Sequence, residues 1–201
     1  MKKTLKIGRT DFKRIVKNNH YFVDKTALIY DFFNNAHDIL LMPRPRRFGK
    51  TLNLSMIEYF FDTNKQADKE LFSDYEIAQK QSFCEKHQNN YPVINLSLKN
   101  IKAATWDDCY ENLKVEISEL YKSHDYLLQS EKLKDYDKEI FASILKRTAP
   151  KPEFRFSLRY LSHFLKKHYN EDVIILIDEY DTDIIYGYDI TPNPINRDDK
   201  V

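Results

Sequence analysis

The sequence predicts an α/β fold: a parallel sheet flanked by helices. Two observations carry this. Three short runs, 38–42, 91–98 and 173–177, are nearly continuous in apolar residues. Such runs suit strands covered on both faces, as in a parallel sheet between helical layers. Between them lie longer stretches whose apolar residues fall three and four apart, the period of a helix with one buried face. Strand–helix–strand alternation places helices against one sheet.

The elements follow in chain order. Asp38-Ile39-Leu40-Leu41-Met42 is the first expected strand, closed by Pro43, which cannot donate to a ladder. Leu52, Met56, Tyr59 and Phe60 then recur at helical spacing. Tyr91 to Leu98 is the second strand. Trp106, Tyr110, Leu113, Ile117, Leu120 and Tyr121 form a stripe that reads as the core face of a long helix. Leu133, Tyr136, Ile140 and Ile144 make another stripe, and Leu158, Leu161 and Leu165 a third. Residues 100–150 are expected as a helical insert within a domain spanning 1–190. Val173 to Ile177 is the last strand, ending at Asp178-Glu179. From Thr191 onward, two prolines and mixed charge without apolar period predict an irregular tail.

Composition excludes several classes. A content of 42% hydrophobic and 14% aromatic residues is too apolar for a disordered chain. Lys and Arg (32) balance Asp and Glu (31), so net charge makes no case for binding nucleic acid or a membrane. The longest uncharged apolar run, Val173 to Ile177, has five residues, against about 20 for a membrane span. The basic start has no apolar stretch behind it, so no secretory signal is expected. Cys84 and Cys109 lack any metal-ligand or redox spacing and read as reduced thiols of a cytoplasmic protein. His163 and His168, five apart, do not share a helix face as a metal pair would.

Arg44-Pro45-Arg46-Arg47-Phe48-Gly49-Lys50-Thr51 follows the first expected strand and precedes a helix. The phosphate-loop pattern G-x-x-x-x-G-K-[ST] needs that setting, and its last three positions are present, with Arg44 in place of the first glycine. The chemistry explains the residue types. Amides at a helix start point at an anion and carry the positive end of the dipole. Gly49 lets the backbone approach the phosphates, Lys50 reaches them as a point charge, and the Thr51 hydroxyl suits magnesium. A solvated basic turn is the plainer reading of the same segment. Val173 to Ile177 followed by Asp178-Glu179 is the pattern of a Walker B strand. Its carboxylate holds magnesium, and the next acid polarises the attacking water. Here the plainer reading is a buried strand with an acidic cap. Both motifs, in this order, fall where open α/β sheets bind ligands, at the carboxyl ends of strands.

The stretch Pro43 to Leu52 resembles the modified phosphate loop of the predicted AAA-ATPase-like proteins of bacteria. Gly8-Arg9-Thr10-Asp11-Phe12 and Tyr21-Phe22-Val23-Asp24-Lys25-Thr26 resemble the family's N-terminal block. Tyr91 to Ser97 is similar to its second strand, and Leu176 to Thr182 to its Walker B signature. The resemblance covers about residues 5–185 and tolerates the arginine at position 44. It implies a P-loop ATPase of the additional-strand class that uses ATP and magnesium, often joined to a C-terminal restriction-endonuclease-like nuclease domain. Arg47, Phe48, Gly49, Lys50, Thr51 and Leu52 are then the nucleotide contacts, Thr51 and Asp178 the magnesium ligands, and Lys50 and Glu179 the catalytic groups. Phe12 is expected near the adenine.

Two departures stand against the family pattern. Asp183 occupies a position where a proline is usual, and the chain ends about 20 residues past the acid pair. The reading is therefore an N-terminal part of a longer family member, lacking the strand that would lie between the first and third. The competing reading is a non-catalytic module that binds a partner or nucleic acid through Arg44, Arg46 and Arg47. A metal-dependent hydrolase centre at Asp107-Asp108 or Asp198-Asp199 fits less well, because adjacent helical residues diverge by about 100°.

Overall fold

The computed structural model describes residues 4, 8–35, 39–43 and 48–180. The helices are α1 (Phe12–Lys17), α2 (Ala27–Asn34), α3 (Lys50–Phe61) and α4 (Gln81–His87), then α5 (Trp106–Lys122), α6 (Asp135–Leu145), α7 (Lys151–Phe154) and α8 (Ser157–Tyr169). Two strands, β1 (Val93–Ser97) and β2 (Ile174–Asp178), form one sheet. The Ile174 amide donates to the Pro92 carbonyl and the Leu98 amide to the Asp178 carbonyl, both at 3.0 Å. The two sequence positions advance together, so the pair is parallel. The fold is α/β, as expected.

The chain divides into two compact units, Met1–Val93 with Tyr169–Leu176, and Ile94–His168 with Ile177–Val201. In the first, α3 is the centre. Leu54, Met56, Ile57, Phe60 and Phe61 are buried on it, with Asn53 and Ser55 beside them. A helix apolar on more than one face must sit inside other elements. Phe12, Ile29, Leu71, Phe72, Ile77 and Phe83 close around it. The N-terminal block earns its place structurally. Asp11 accepts the Arg14 amide at 2.7 Å and caps α1. Asp24 accepts the Thr26 amide and hydroxyl and, from a distant turn, the Glu76 amide at 2.8 Å. Burial works to raise the Asp24 carboxyl, but these three bonds outweigh it and hold it below the ordinary carboxylate value. Thr26, fully buried, receives the Ile77 amide on its hydroxyl at 3.1 Å. Asn89 adopts φ 58° and donates from its side chain to the Tyr59 and Asp62 carbonyls. It thereby serves carbonyls that the end of α3 leaves orphaned.

The second unit is helical around Ile117, Leu120, Tyr121, Leu127, Phe141, Ile144, Leu161, Phe164 and Leu165. The Tyr121 hydroxyl, deep in that core, donates to the Ser157 carbonyl at 2.7 Å. Thr105 caps α5 by accepting the Asp108 amide, and Asp107 and Asp108 occupy the first turn. There they complement the helix dipole, which accounts for that acid pair without a metal.

Three expectations change. Among the described residues Ile39–Met42 pairs with no strand; Asp38 lies outside them. Ile39 is 85% exposed, and no described residue supplies the neighbouring ladder that would make the run a strand. Trp106 is not a core residue but 68% exposed at the first position of α5. The stripe becomes buried only from Ile117 onward; nearer the start, Tyr110 meets Phe154 edge-on with ring centroids 6.4 Å apart. Tyr136 is likewise exposed on α6. The expected tail, 191–201, lies outside the described residues. No helix among the described residues is long and apolar enough to cross a membrane.

Candidate functional site

Gly49 is the N-cap of α3, in the left-handed region at φ 78°, ψ 24°. A Cβ there would meet nothing within 4 Å. Glycine is therefore suited to this position by backbone conformation, not by space. A left-handed residue leading into right-handed helix turns successive N–H groups to one side, which forms an anion-binding concavity. Lys50, Thr51 and Leu52 occupy the first turn, and the Asn53 amide closes the first helical bond onto the Gly49 carbonyl at 2.9 Å. The cap contributes no side-chain hydrogen bond, and the turn contains no acidic residue. The first turn of this 12-residue helix thus supplies no acidic side chain of its own to the positive end of the dipole. Phe48 and Thr51 are exposed and Lys50 half-buried, while Leu52 packs against the core. Arg47, with Arg44 and Arg46, lies outside the described residues.

Asp178 closes β2 and is 6% exposed. Its Oδ1 accepts the Glu179 amide at 3.0 Å while its carbonyl accepts Leu98. Glu179 is held at φ 57°. A non-glycine residue in that region costs about 1–2 kcal/mol, and such strain is concentrated at functional positions. Because the strands are parallel, Asp178 stands at the carboxyl end of the pair, the end that carries ligand-binding groups in α/β sheets. Gly49, Lys50, Thr51 and Leu52 are brought together at the start of α3 in the first unit, and Asp178 and Glu179 at the end of β2 in the second.

Phe12 is corrected. It is fully buried, stacked on Phe72 at 5.0 Å and edge-on to Phe22 at 5.3 Å. It has no face left for a base. The left-handed backbone at Glu179 was not visible in the sequence, since nothing in Asp-Glu-Tyr specifies that angle.

A glycine-led helix start with Lys-Thr in its first turn matches the last three positions of the phosphate-loop pattern of P-loop proteins. The family model described as Predicted AAA-ATPase matches residues 6–192, and the chain belongs to that family. No curated protein matches it, and no solved structure does.

Proposed function

We propose that this protein binds ATP with magnesium and hydrolyses the terminal phosphate. The observation that carries the reading is the glycine-capped start of α3, with Lys50 and Thr51 in its first turn, in a member of a predicted ATPase family. The donor set suits the group: backbone amides and an ammonium for phosphate oxygens, a hydroxyl and a carboxylate for a hard divalent cation. Amides from Gly49 to Leu52 bind the phosphates and Lys50 adds a fixed positive charge. Thr51 and Asp178 hold the metal, and Glu179 orients the attacking water and accepts its proton. When bound, magnesium neutralises charge on the phosphate oxygens. Near-complete burial of Asp178 makes water a weaker competitor for its carboxylate.

The test is equilibrium binding of a labelled ATP analogue with magnesium to the wild type and Lys50→Ala, followed by turnover in Glu179→Gln. The reading expects weaker binding in the first variant. In the second it expects retained binding with turnover lowered by about 10²–10⁴-fold, the scale of general-base catalysis. Equal binding by wild type and Lys50→Ala removes Lys50 from the phosphate site.

A further inference from the structure

We propose that the outward face of α7 and α8 binds single-stranded nucleic acid. From Lys146 to Lys167 the sequence carries seven Lys and Arg and one acid, Glu153, in a protein whose net charge is +1. Positive charge thus predominates in this stretch, and α8 itself contains no Asp or Glu. Burial sorts its residues by face. Leu161, Phe164 and Leu165 are buried in the core, while Arg159, His163 and Lys166 are exposed, as is Arg155 just before the helix. Within α8, Arg159, His163 and Lys166 fall four and three residues apart, the spacing of one helix face, and Arg155 precedes the helix by two residues. Among the described residues, Lys146, Arg147, Arg155 and Arg159 form no ion pair. Lys167 differs, since it is engaged with the buried Asp137 at 2.8 Å.

A charged face alone is ordinary. Phe156 makes this one unusual, lying between Arg155 and Arg159 and 47% exposed. The Tyr160 ring lies 6.4 Å away in an edge-on arrangement. Cations that follow phosphates, interleaved with an aromatic face on which a base stacks, are the two parts of single-strand recognition. A duplex keeps its bases stacked on one another and leaves Phe156 without a partner. A membrane surface needs the apolar side of a basic helix, and here that side is the core. The inference does not rest on the nucleotide site, and it uses cations far along the chain from Arg44, Arg46 and Arg47.

Fluorescence anisotropy of a labelled oligothymidine strand, titrated with the whole chain across a salt series, tests it. Log affinity falls with log salt by about 0.7 for each phosphate contacted on a single strand. Replacing both Arg155 and Arg159 with alanine is expected to weaken binding and to make the slope shallower by about 1.4. Phe156→Ala is expected to lower affinity about tenfold with the slope unchanged, since one base loses its stacking partner. Circular dichroism of each variant establishes that these exposed substitutions leave the fold intact. Four results overturn the proposal. They are no binding at low salt, equal affinity for a duplex with no effect of Phe156→Ala, and equally effective competition by polyglutamate. The fourth is binding that is lost on substituting Arg44, Arg46 and Arg47 but unchanged in the Arg155/Arg159 variant.

Discussion

Replacing Gly49 with alanine isolates the backbone conformation on which the proposed phosphate site depends. The added methyl meets nothing within 4 Å, so no packing cost enters. What remains is φ 78°, in the region where an L-residue costs about 1–2 kcal/mol. Alanine also restricts the unfolded chain, which offsets roughly 0.4–1 kcal/mol of that loss. The net destabilisation is about 1 kcal/mol, or about 2–4 °C in the unfolding midpoint for a chain of this size. A larger effect is expected on nucleotide affinity, because a loop that relaxes from this angle no longer turns its amides to one side. Thermal unfolding by circular dichroism and analogue binding should be run on wild type, Gly49→Ala and Gly49→Asn. Asparagine tolerates the left-handed region and should recover much of the lost stability. If Gly49→Ala is as stable as wild type and binds the analogue equally, the left-handed cap has no role in either property.

Two further outcomes follow from the helical unit. Burial pushes the His124 imidazole down to about 4 from an ordinary 6.5. The unfolded chain therefore takes up a proton that the folded one refuses: the stability is fully present above pH 6.5 and is lost as pH falls toward 4. The full loss approaches about 3 kcal/mol, and the difference between wild type and His124→Gln across a pH series of urea melts should show it; parallel curves refute it. Lys167→Ala leaves Asp137, whose side chain is 4% exposed, as a buried charge without its ammonium. A cost of about 3–5 kcal/mol is expected in chemical denaturation, and a change within 0.5 kcal/mol would make the pair a surface contact.

Much of the architecture was legible because it rests on local periodicity. The apolar run at 173–177 became β2, and Leu52, Met56, Tyr59 and Phe60 lie on α3. The Ile39–Met42 segment and Trp106 were misread for one reason. Periodicity reports that a residue can be buried, whereas burial also requires a partner, and partners are set by distant parts of the chain. The candidate site divides in the same way. Gly-Lys-Thr and Asp-Glu suggest a chemistry by residue type, and glycine at position 49 matches its left-handed angle. Asp24 and Thr26 gave no sign of their role, because the Glu76 and Ile77 amides they bind come from about 50 residues away.

Calorimetric titration of ATP with and without magnesium, on wild type, Lys50→Ala and Asp178→Asn, tests most directly whether both stretches serve one ligand. Wild type should gain affinity from magnesium. Asp178→Asn should keep the metal-free affinity and lose the gain, and Lys50→Ala should weaken binding under both conditions. An Asp178→Asn protein that responds to magnesium as wild type does would contradict the account.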